Sequence, residues 1–148
     1  MAVMVLVLHS WLRWFAILAG LGATVTALST SASDRSEKSG LLFMIAMDLQ
    51  LLLGALLYGF LSPYTTGAFQ DFGAAMRDPI ARFWAVEHLT MMLAAVVFAH
   101  LGRILARKAA TPAARRTRLL VCFGLSTVLM LAGTPWPGMP AGRPLFRI

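Results

Sequence analysis

A single cysteine, Cys122, lies in an apolar run of the sequence, which excludes an intrachain disulfide, a CxxC motif and a cysteine-rich metal site. The CxxCH signature of covalently attached haem is missing as well. There is no Gly-rich phosphate loop, no nucleophile elbow, no HExxH zinc motif and no pair of catalytic carboxylates, so the chain is not expected to be an enzyme by itself. Charge is scarce, at 13% of residues, where an ordinary soluble domain runs near a quarter charged. Thirteen basic against six acidic residues give a formal charge of +7. The basic residues sit between apolar runs rather than on one wet face, which argues against nucleic acid as a partner.

What is abundant is apolar surface: 59% of the 148 residues are hydrophobic. So small a globule cannot bury all of it, and lipid is the solvent that suits the rest. A membrane span needs roughly 20 mainly apolar residues. Four stretches qualify, about Val3 to Leu28, Leu41 to Leu61, Ile80 to Leu105 and Leu119 to Trp136. They predict one domain, residues 1–148, folded as an all-α, integral membrane four-helix bundle. The N-terminus lacks the positive leader and cleavage site of a secretory signal, so it is expected to remain as the first span. Asp78 before Pro79 predicts a capped helix start. The closing PWPGMPAGRPLFRI is too rich in proline and glycine for helix, and residues 137–148 are expected as an extended tail able to lie on a neighbouring subunit.

Arg103, Arg107, Lys108, Arg115, Arg116 and Arg118 surround the third connector, whereas Arg77 and Arg82 stand alone near the second. The positive-inside rule puts the third connector, and with it the first, in the cytoplasm. Both termini then face the non-cytoplasmic side, where Tyr64, Trp84 and Trp136 form an aromatic belt. In the first span, small residues recur on two faces, Ala16, Gly20 and Thr24, and Ala19, Ala23 and Ala27, which allows close helix approach.

Ionisable residues inside spans are costly and become the first functional candidates. They are His9, Arg13, Asp48, Glu87, His88 and His100. With a rise of about 1.5 Å per residue, His9 lies on the order of 10 Å below the outer surface and His88 roughly 14 Å. Two imidazoles at one level on different helices are the arrangement that clamps a haem iron between helices of a bundle. The same two rings serve equally as hydrogen-bonding links to neighbouring helices. His100 is about 18 Å further toward the cytoplasm than His88 and cannot join the same site. Arg13 and Asp48 fall at nearly the same depth and are expected as an ion pair, with haem propionates as another partner open to Arg13; Glu87 is placed either to share that pair or to orient His88 from a neighbouring helix. Gln50 is expected to bond across helices, and Tyr58 to sit at the interface. Most of the nine methionines are expected as packing.

Certain stretches carry a resemblance: HSWLRW in the first helix, DLQLLLGALLYG in the second, RFWAVEHLTMMLAAVVFAHLGR across the third, and LAGTPWP with RPLF at the end. Together they resemble a family of small four-helix bacterial membrane proteins called cytochrome b-like, over most of the chain apart from the first and third connectors. The resemblance implies a b-type haem held by histidines, at His9 and at His88 with Glu87 before it, with His100 as a further candidate. Arg13 and Glu87 would then support the axial ligands.

The expected function is therefore electron transfer by a non-covalent haem b within the bacterial inner membrane, as a component of a larger membrane complex. The alternative is an accessory subunit of a respiratory or photosynthetic complex, with no cofactor or with bacteriochlorophyll magnesium on His9 or His88. A small transporter or proton channel using Arg13, Asp48 and Glu87 ranks last, because broken helices at mid-membrane are absent from the pattern.

Overall fold

Two helix starts in this chain are set by a short polar side chain followed by proline. The Asp78 carboxylate accepts from the backbone N–H of Ile80 and Ala81 at 2.8 and 2.7 Å, with Pro79 as the first helical residue. Thr111 does the same before Pro112, accepting from Ala114 at 3.1 Å. The computed structural model describes residues 1–29 and 34–146, which contain no strand. In order they form α1 (Ala2–Leu28), α2 (Asp34–Leu56) running on into a π-helical turn (Leu57–Leu61), α3 (Pro63–Gln70), α4 (Phe72–Arg77), α5 (Pro79–Arg82), a second π-helical turn (Phe83–Glu87), α6 (His88–Arg107) and α7 (Pro112–Ala132).

Three helical stretches are long and apolar enough to cross a membrane: Ala2–Leu28, Ser36–Leu61 and Pro79–Arg107. The α7 helix is of similar length, but Arg115, Arg116 and Arg118 occupy its first turns and its apolar part begins at Leu119. The first expected connector includes residues 30–33, which lie outside the described residues. The second is not a loop: α3 and α4 fill it, with Asp71 accepting from Ala74 at 2.8 Å to cap α4.

The buried face of α1 is Ala16, Ile17, Gly20, Ala23 and Ala27, which takes two of the three residues of each expected small-residue face. A β-carbon at Gly20 would lie 2.7 Å from Thr127 and 2.9 Å from Phe43, so glycine here lets α1 approach both α2 and α7 within the chain. Phe43 and Phe123 meet edge to face at 5.7 Å, and Gly40 and Gly102 make room for the Phe123 ring. On the opposite side of α1, Leu8, Trp11, Phe15, Leu18 and Val25 are about half exposed or more, an apolar stripe that suits lipid. Aromatic and small residues thus close the helix layers tightly at the end near the third connector.

The tail differs from the extended segment expected of residues 137–148, of which 147–148 lie outside the described residues. Gly138 takes a positive φ of 91°, Gly142 N–H bonds Met139 O at 2.8 Å, and Arg143 N–H returns to Pro135 O at 3.0 Å. These turns bring the tail back onto α1. Leu145 O accepts from Arg13 Nη2 at 2.8 Å and from Trp14 Nε1 at 2.9 Å, and Phe146 stacks on Trp14. The reason is local: two glycines permit the bends, and α1 offers two side-chain donors and an aromatic surface to the returning segment.

Candidate functional site

Away from the Phe43–Phe123 layer the helices separate around a cavity of about 600 Å³, within the roughly 300–1,000 Å³ that small-molecule and cofactor sites occupy. Its walls are mostly apolar, with Leu51, Leu89, Met92, Val96 and Met130 among them. Its polar side chains include His9 and Arg13 from α1, Gln50 from α2, Tyr58 from the first π-helical turn, Trp84 from the second, His88 from α6 and Arg143 from the tail.

The two π-helical turns stand on this cavity. Each widens its helix by one residue per turn and so rotates the residues beyond it; such turns recur at functional sites. The second ends at Glu87, immediately before His88. Tyr58 O–H ties the two turns together by donating to Ala85 O at 2.8 Å.

His88 and His9 face each other with ring centroids 6.4 Å apart and planes at 70°. A metal–imidazole bond of about 2 Å on each side, plus about an ångström from each nitrogen to its ring centre, requires roughly 6 Å between two rings that share one metal. Because a carbonyl only accepts, the 2.7 Å contact of His88 Nδ1 with Gly133 O fixes the proton on Nδ1 and leaves Nε2 as the free lone pair. That is how a metal-ligating histidine is commonly held. Phe83 and Trp84 flank the same ring at 5.9 and 5.5 Å. On the other side, Gln50 Nε2 donates to His9 O at 3.1 Å and lies 3.2 Å from His9 Nε2, while His9 Nδ1 is buried without a partner. Gly54 leaves space for this ring, since a β-carbon there would come within 3.3 Å of it.

Four buried polar atoms lack a hydrogen-bond partner among the described residues: His9 Nδ1, Arg13 Nε, Gln50 Oε1 and Trp84 Nε1. All four residues line this cavity. Folded proteins leave few buried polar groups unpaired, so their convergence on one space marks it as a place where a polar ligand or water completes the set.

Other expectations are corrected. Arg13 and Asp48 do not pair. Gln50 faces α1, and Asp48, two residues earlier, is turned about 200° from it; Asp48 Oδ1 instead meets His100 Nε2 at 3.3 Å, with both side chains partly exposed. Glu87 does not orient His88, because the neighbouring position on a helix points about 100° away; it pairs with Arg82 at 2.7 Å. The positioning role falls to Gly133. His100 also bonds Val96 O at 3.0 Å and stands apart from the cavity. Tyr64 and Trp84 neighbour each other at 6.2 Å, but Trp136 packs against Trp14 at 6.0 Å. Sequence reasoning missed Arg143, whose guanidinium lies 4.9 Å over Tyr64 and 5.3 Å over Trp84. Its one signal was a cation, one of two in the closing segment with Arg147, after helix-breaking residues.

Comparisons with protein families, curated proteins and solved structures find no match to this chain.

Proposed function

We propose that the chain is a membrane-embedded b-type haem protein that transfers electrons within the bacterial inner membrane, with His9 and His88 as the axial ligands. The observation that carries this reading is the His9–His88 pair, with ring centroids 6.4 Å apart, both rings lining the cavity and contributed by two different helices. The residues present suit the group: His88 has a fixed tautomer and a free Nε2, His9 lies beside it with only the Gln50 amide at its Nε2, and the cavity walls are mostly apolar. A haem held there supplies a one-electron ferric–ferrous couple. The chain's own part would be to hold the group with His9 and His88, to keep water from the site with Leu89, Met92 and Met130, and to fix the His88 proton on the Gly133 carbonyl.

In this reading α7 makes the fourth crossing and completes a four-helix bundle. The cluster from Arg103 to Arg118 marks the cytoplasmic end, and both termini lie on the other side. The resemblance of HSWLRW and FWAVEH to cytochrome b-like proteins points the same way. The test is the optical and electron paramagnetic resonance spectrum of the purified chain. Low-spin bis-histidine haem in the wild type, lost in His9→Ala and His88→Ala but kept in His100→Ala, supports the assignment; normal haem in His88→Ala contradicts it.

One observation favours a place within a larger complex. Asp48 and His100 lie in apolar helices with side chains 48% and 37% exposed, where a lipid neighbour would be costly. A partner subunit on this face relieves that cost. A photo-crosslinker at position 100 is expected to capture a protein in native membranes, and capture of lipid alone contradicts it.

A further inference from the structure

Two guanidiniums line a mostly apolar cavity to which no described acidic residue contributes. Arg13 reaches Leu145 O through Nη2, but its Nε is buried and unpartnered. Arg143, two residues before Leu145, rests on the faces of Tyr64 and Trp84 and meets no carboxylate among the described residues. The tail thus links the two cations, Arg143 lying two residues before the carbonyl that Arg13 holds, and both line the cavity together with Trp84, whose Nε1 donor is also unpartnered.

The acidic side chains that the structure describes are engaged elsewhere. Glu37 pairs with Arg115, Asp48 with His100 and Glu87 with Arg82, while Asp71 and Asp78 cap helices. A cation at an apolar site is expensive unless an anion answers it. Guanidinium matches a carboxylate in both charge and donor geometry.

We infer that Arg143 and Arg13 form the carboxylate end of the cavity and hold the propionates of the bound haem, so that the C-terminal tail is part of the cofactor site. The inference rests on the haem reading and adds to it the direction in which the group enters. It also gives the tail a role: residues 143–145 bring Arg143 to the cavity and hold the Arg13 side chain through the Leu145 carbonyl.

The test uses the full chain in detergent, freed of haem and titrated with ferric haem b or with its dimethyl ester, whose carboxylates are capped. The readout is the dissociation constant from the Soret band. The wild type is expected to bind haem b at least about tenfold more tightly than the ester, the size of one charge-assisted contact. Arg143→Gln is expected to bring that ratio to within about threefold while leaving ester affinity and the low-spin spectrum unchanged, and Arg143→Lys is expected to retain part of the preference. Equal binding of the two probes by the wild type overturns the carboxylate end and leaves the haem reading standing. Retention of the full preference in Arg143→Gln removes Arg143 from the site. Binding of neither probe by the wild type overturns the haem reading and this inference together.

Discussion

His88 donates its Nδ1 proton to the carbonyl oxygen of Gly133 over 2.7 Å, joining the first turn of α6 to the residue that ends α7. A backbone carbonyl cannot titrate or rotate away as a carboxylate can, so this contact fixes both the tautomer and the direction of the ring. Glycine keeps the position open: a β-carbon would lie 2.5 Å from Met92 Cε, the movable end of its side chain, and 3.0 Å from Met91 Cβ.

Gly133→Ala is therefore expected to destabilise the chain by about 1–3 kcal/mol, the usual cost of overpacking. It should also weaken cofactor retention by displacing the His88 acceptor. Reversible unfolding in mixed detergents gives the first quantity and the Soret absorbance the second. A variant as stable as the wild type, with unchanged absorbance, would show that the site tolerates movement at Gly133.

How far the sequence reaches is clear from particular residues. Hydropathy marks the three long spans, because lipid demands contiguous apolar residues and the pattern is one-dimensional. The rise per residue is enough to bring His9 level with His88. The same arithmetic fails for Arg13 and Asp48, since it fixes depth but not which face of α2 meets α1; Gln50 takes that face. Two π-helical turns, invisible in hydropathy, further alter the direction of side chains beyond them. Gly133 acts through a carbonyl that every residue possesses, and the tail has no periodicity from which its return to α1 could be read.

Gly20→Val tests the close approach of α1 to its neighbours. The added atoms would meet Thr127 and the Phe43 ring, starting at 2.7 Å. A loss of about 1–3 kcal/mol is expected. Gly22→Val, where a β-carbon meets nothing within 4 Å, is the control and is expected to cost under about 1 kcal/mol. Equal effects of the two substitutions would contradict the packing described for α1.

The Asp48–His100 contact is part-exposed and separate from the cavity. Asp48→Asn in the isolated chain is expected to change stability by under about 1 kcal/mol, as exposed pairs do. The cofactor spectrum should stay as in the wild type. A large spectral change would link this pair to the site across α6, which nothing in its geometry requires.

The most direct test of the central claim is a pyridine haemochrome measurement on the detergent-purified chain, with haem supplied during expression. The account predicts a b-type signal close to one haem per chain, matching one His9–His88 pair per cavity. A chain with intact helical circular dichroism and no haemochrome would contradict it, and would leave the cavity to another ligand.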